Sequence, residues 1–155
     1  MRLKLTLLFA AAALLTGCVK NELPLFDEPF VYLETSTGSD NAVVGADMRA
    51  TVTYYIAISC PAFTEPVGVN FTVTCGDGLA EGVDYEVVTP GNTVSFLPGI
   101  WRMPVRIQWK DHAIDESKDN TVTIALTGTS TGTFTLGYPG PAARGSKLVI
   151  TKKNL

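Results

Sequence analysis

The most constraining feature of this chain is a two-residue alternation of apolar and polar side chains that recurs along most of its length. Val52, Tyr54, Ile56 and Ile58 alternate with Thr51, Thr53, Tyr55 and Ala57. Val69, Phe71, Val73 and Cys75 alternate with Asn70, Thr72 and Thr74. Val94 and Phe96 share one parity; Met103, Val105, Ile107 and Trp109 share another, opposite Arg102, Arg106 and Gln108. Val122, Ile124 and Leu126 alternate with Thr121, Thr123 and Ala125, and Leu148 and Ile150 close the set. Successive side chains of a strand point to opposite faces, so each run has one apolar face to bury.

The breaks between these runs are rich in Gly, Pro, Asp and Asn: 61–68, 76–82, 90–92, 98–99, 115–120 and 137–145. Phe30-Val31-Tyr32-Leu33 adds a short apolar strand, and residues 34–42 have loop composition. About seven short strands with turn signals and no helical stripe predict an all-β fold, an antiparallel β-sandwich over residues 30–155. Pro104 has no N–H for a ladder, so its strand is expected at a sheet edge or bulged there. Trp109 is assigned to the core. Trp101 shares the parity of Met103 but follows the Pro98-Gly99 turn, so both core and surface remain open for it. No second domain or internal repeat is visible.

The N-terminus has a different pattern. Arg2 and Lys4 precede an apolar run, Leu5 to Leu15, broken only by Thr6. It is shorter than the roughly 20 residues of a membrane-spanning helix. The run ends in Leu15-Thr16-Gly17-Cys18, which resembles the lipobox of bacterial lipoproteins. That resemblance implies removal of residues 1–17 as a signal peptide, acylation of Cys18 and a lipid anchor in the outer membrane, with residues 18–29 as tether. Each buried methylene of such an anchor contributes about 0.8 kcal/mol. Residue 19 is Val rather than Asp, so there is no inner-membrane retention cue. Lys20-Asn21-Glu22 is similar to the export tags of surface lipoproteins in the Bacteroides group, which favours the cell surface over the periplasmic face.

Charge narrows the partners. The chain of 155 residues carries a formal charge of −3. Loss of residues 1–17 removes Arg2, Lys4 and no acid, which deepens the deficit. No basic cluster is present, so nucleic acid is not an expected partner. An exported chain invites a disulfide between Cys60 and Cys75. Each closes a strand, and the two strands run in opposite directions. The thiols are then expected about 20 Å apart at roughly 3.3 Å per residue, beyond the ~7 Å Cα separation a disulfide allows. Two partly buried free thiols are expected.

Catalytic sets are missing from the sequence. The single histidine, His112, lies in a loop, and there is no G-x-S-x-G elbow. The cysteines belong to strands away from position 112, so neither a Cys–His pair nor a zinc set is suggested. No two carboxylates are placed across a cleft as a glycosidase needs. The chain is read as non-enzymatic. Trp101 and Tyr138, both near Gly/Pro turns, are the candidates for contact with a ligand or partner.

From about residue 43 onward the order of features resembles the Calx-beta domain, an immunoglobulin-like sandwich. The resemblance rests on Glu65-Pro66-Val67-Gly68-Val69, Gly82-Val83-Asp84-Tyr85, Val94-Ser95-Phe96-Leu97-Pro98-Gly99, the Met103–Ile107 strand and the Thr121–Leu126 strand. Lipidated single-domain versions look like small Bacteroides-group lipoproteins associated with TonB-dependent importers of glycans or peptides. The resemblance implies an accessory binding subunit at the outer membrane, with a protein partner or a glycan. A glycan-binding module and an adhesive surface module are the competing readings. Some Calx-beta domains bind calcium, and Asp84, Asp111, Asp115 and Glu116 match acidic positions of that pattern. Lys110, Lys118 and Thr151-Lys152-Lys153 replace the others, and positive charge there opposes a dication. No metal is favoured. Surface lysine–carboxylate pairs worth about 0–1 kcal/mol are expected at that end of the sandwich instead.

Overall fold

The alternating runs pair into two five-stranded sheets. The computed structural model describes residues 28–155; the signal segment, Cys18 and the tether up to residue 27 lie outside the described residues. The strands are β1 (Phe30–Glu34), β2 (Asn41–Gly45), β3 (Thr51–Ser59), β4 (Val67–Cys75), β5 (Tyr85–Val87), β6 (Thr93–Phe96), β7 (Arg102–Trp109), β8 (Thr121–Thr129), β9 (Thr135–Leu136) and β10 (Lys147–Lys153). One sheet has the order β5-β7-β3-β1-β9 and the other β2-β10-β8-β4-β6. Their inward parities form one core, in which Val31, Ile56, Phe96, Ile107, Ile124 and Ile150 are fully buried. Trp109 is buried too, and its indole N–H donates to the Tyr54 hydroxyl at 3.3 Å. Burial pushes that hydroxyl up to about 12, against the opposing effect of the indole hydrogen bond.

Several expectations are corrected. The described chain has ten strands rather than about seven. The additional ones are β2, β5 and β9, of five, three and two residues. Strands of two or three residues are too short to show a period. The sheets are also not purely antiparallel: β1 pairs with β9 in parallel, and β10 pairs with β2 in parallel. The chain crosses between the sheets twice on one flank, after β1 and after β9. Strands that cross side by side in the same direction can pair only in parallel.

Pro104 is not on an edge strand, because β7 lies between β5 and β3. Its register with β3 runs unbroken from Thr51↔Gln108 to Ala57↔Arg102, so no bulge is present either. The explanation is the shortness of β5, which covers only Ile107 to Trp109. The Arg106 N–H donates away from β3 to Thr89 Oγ1. By parity the Pro104 nitrogen faces the same way, beyond the end of β5, where no ladder bond is lost.

Cys60 and Cys75 are both free, but β3 and β4 belong to different sheets, and Cys75 is exposed rather than partly buried. Its thiol donates to the Leu79 carbonyl at 3.3 Å. Burial raises the Cys60 thiol.

The pairings Phe30↔Ser59 and Val67↔Phe96 place the start of β1 at the same end as loops 60–66 and 97–101. Loop 130–134 joins them there, since Thr129 pairs with Val69 near the start of β4. Loops 46–50, 76–84 and 110–120 form the opposite end. Trp101 packs at the first end and is 41% exposed, in contrast to Trp109. Urea denaturation therefore separates the two tryptophans. Trp109→Ala is expected to cost about 3–5 kcal/mol, and Trp101→Ala no more than about 1 kcal/mol.

Candidate functional site

The connection from β9 to β10 builds a cleft on the flank. Loop 137–145 leaves β9, turns back on itself and enters β10. It is closed by Tyr138 N–H donating to the Arg144 carbonyl at 2.7 Å and by Leu33 N–H donating to the Gly145 carbonyl at 2.7 Å. Gly145 has φ +74°, and a Cβ there would meet the Tyr138 ring at 3.1 Å and Tyr32 Cβ at 3.2 Å. Only glycine combines that conformation with that approach. Ala143 also takes a positive φ, 40°, a conformation that costs an L-residue of order 1–2 kcal/mol.

This closure seats Tyr138 on the outer face of β1. Its ring centroid lies 4.7 Å from Tyr32 and 5.4 Å from Phe30. Tyr138 is nevertheless 41% exposed. Its hydroxyl is raised by burial first and then by Tyr32, Glu34 and Asp40, so it stays protonated and able to donate. Beside it is an open cleft of about 560 Å³ with Leu33 in its lining. Asp40, Asn41 and Arg144 supply polar groups. Arg144 Nε lies 3.9 Å from Asp40 Oδ2, and Asn41 Nδ2 donates to Asp40 Oδ1 at 3.2 Å. An exposed aromatic beside planar donors and acceptors suits a small polar ligand with an apolar face.

The charged end holds one surface pair of the expected kind, Lys110 Nζ to Glu86 Oε2 at 3.2 Å, and beneath it a buried pair that was not expected. Asp84 and Lys152 are both buried, with Lys152 Nζ 3.1 Å from Asp84 Oδ1. The same ammonium donates to the Lys110 carbonyl at 3.0 Å. Asp84 Oδ2 accepts from Ala80 N–H at 2.9 Å, which closes its own turn. His112 Nδ1 lies 3.0 Å from Oδ1, so this histidine, though half exposed, contacts a buried carboxylate. Burial acts most strongly on Asp84 and raises it, but Ala80, Lys152 and His112 together hold the carboxyl below its ordinary value. Asn120 is buried alongside; its Nδ2 donates to the carbonyls of Asp115 and Lys118, while Oδ1 has no partner among the described residues.

The remaining acids of the calcium-like pattern point elsewhere. Asp111 pairs with Arg49. Asp115 accepts from the Ser117 N–H and hydroxyl, which hold it below its usual range. Glu116 accepts from Asn154 Nδ2 at 2.7 Å. Among the described residues, no group of three His, Cys, Asp or Glu side chains converges as a metal would need.

Trp101 and Tyr138 belong to separate surfaces. Trp101 packs edge-to-face on Phe63 at 5.3 Å, between loops 60–66 and 97–101. The partners of Tyr138 in the cleft were not legible in sequence. Asp40 and Arg144 are about a hundred positions apart, and only the fold brings their loops together.

The buried pair yields a thermodynamic test. Removing one member of a buried ion pair typically costs about 3–5 kcal/mol because it strands the other charge. Asp84→Asn and Lys152→Met are each expected to lose that much, and the double variant far less than the sum, read by denaturation in a double-mutant cycle. Since folding lowers the Asp84 value, its contribution is complete above the unfolded value of about 3.9 and is lost as pH falls through the lower folded value. The double variant should lose less stability on acidification across that window than the native chain.

The sequence matches no protein-family model and no curated protein.

Proposed function

We propose that this chain is a non-enzymatic, lipid-anchored module of the cell envelope, an accessory binding subunit of a TonB-dependent uptake complex for glycans or peptides. The anchor is assigned to Cys18, in the outer membrane and facing the cell surface. The two-sheet body is assigned to the immunoglobulin-like, Calx-beta-like class. The importer setting follows from that resemblance.

The observation that carries the reading is the flank cleft. Tyr138 offers an exposed ring, and Asp40, Asn41 and Arg144 offer hydrogen-bonding groups within one concave surface. None of these is arranged as a nucleophile with its base, so binding is what the cleft supports. Sugars match this chemistry best, since a pyranose has an apolar face to stack and hydroxyls that both donate and accept. The adhesive alternative needs a long open edge for strand addition. The four outer strands, β9, β5, β6 and β2, have two, three, four and five residues, and such short edges are poor templates.

Affinity purification of the native membrane complex, combined with oligosaccharide binding to the purified protein, tests this. Importer subunits should copurify. Tyr138→Ala should weaken oligosaccharide binding up to about tenfold, the equivalent of roughly 1.4 kcal/mol. Recovery of the protein alone, with no oligosaccharide retained, contradicts the proposal.

A further inference from the structure

The two ends of the sandwich differ sharply in chemistry. Loops 46–50, 76–84 and 110–120 contain eleven Asp, Glu, Lys or Arg residues. Loops 60–66, 97–101 and 130–134 contain one, Glu65. At this sparsely charged end Leu97 is 56% exposed, Ile100 42% and Trp101 41%. They form one continuous turn, closed by Ile100 N–H donating to the Leu97 carbonyl at 2.9 Å. The Trp101 carbonyl accepts from Ile58 N–H at 3.0 Å, which fixes the turn to the end of β3. Phe63 buttresses the Trp101 ring from the neighbouring loop. The turn is thus a firmly held apolar projection. Clustered exposed apolar side chains of this kind mark an interaction surface.

The position of the chain's entry says what covers it. Phe30 pairs with Ser59, so the polypeptide arrives from Cys18 at this same end. Eleven residues separate Cys18 from Phe30, and even a fully extended chain of that length reaches only about 40 Å. The nine-residue strands make the body itself about 30 Å long. The apolar end, whose loops carry only Glu65, is therefore the end at which the tether from Cys18 enters the body. Trp beside Leu and Ile, with almost no charge, suits the boundary between headgroups and acyl chains.

We propose that the Leu97–Trp101 turn, buttressed by Phe63, is a membrane-contact patch that seats this end of the sandwich on a lipid bilayer. The proposal rests on the lipid anchor at Cys18 and adds an orientation to it. The acyl chains hold the protein at the surface. The patch holds the body upright, with the charged end away from the bilayer and the Tyr138 cleft open on the flank.

The full-length protein, purified from membranes and reconstituted into phosphatidylethanolamine–phosphatidylglycerol vesicles with brominated acyl chains, tests the patch. Trp101 emission should shift to the blue and be quenched by the bromines. Trp101→Phe should abolish that quenching, since Trp109 is buried in the core. Ile100→Asp should leave the protein on the vesicles but lift Trp101 out of the quencher. Acylated Cys18 with Trp101 unquenched and still open to aqueous iodide overturns the patch alone. Protection of Trp101 only when an importer subunit is added overturns it in favour of a protein partner. An unmodified Cys18 in the mass spectrum overturns the anchor, and the orientation falls with it.

Discussion

Burial of one face of each sheet against the other is the interaction on which everything else depends. Each strand contributes every second residue to a shared interior, and the strands cannot slip by one position without turning that interior outward. Trp109, Tyr54, Tyr85, Phe71 and Phe96 are the largest fully buried side chains, so they fix the register of five strands at once. Loops emerge from this frame at defined heights. The cleft, the charged end and the apolar turn are consequences of which loops the register brings together.

The frame also explains the polar residues within it. Lys152 holds the inward parity of Leu148 and Ile150 on β10, and so its ammonium is carried into the interior. Asp84 meets it there and neutralises it. The chain thereby supplies its own cation beside a carboxylate that, in the sequence resemblance, belongs to a calcium pattern. Such a pair adds little net stability over an apolar replacement. It does penalise any arrangement that separates loop 76–84 from β10, and it ties together the end of the sandwich with the longest loops.

Legibility in the sequence followed the length of each element. The long alternating runs of β3, β4, β7 and β8 are readable because their period repeats three or four times. Strands β2, β5 and β9 escaped because a period cannot be seen in two or three residues, nor in Asn41–Gly45, where Val43 and Val44 are adjacent. Pro104 lacks a ladder N–H, as its residue type dictates, but it marks neither an edge strand nor a bulge. A neighbour shorter than the strand itself leaves no trace in the strand's own residues. Burial of Lys152 was missed because a lysine after an alternating run reads as solvated unless its partner is known. Trp101 could not be placed because parity gives a direction and says nothing of how far the opposite sheet extends. Tyr138 was legible as a loop aromatic, whereas Asp40 and Arg144 became its neighbours only through the two crossings on one flank.

Contact without chemical transformation is the central claim, with the flank cleft as its seat. Placing a photoreactive residue at position 138 in living cells tests it most directly, with position 43 on the exposed side of β2 as the control. Irradiation should give a discrete adduct from position 138 and none from position 43. The absence of any adduct at 138, or the same adducts from both positions, would contradict the account.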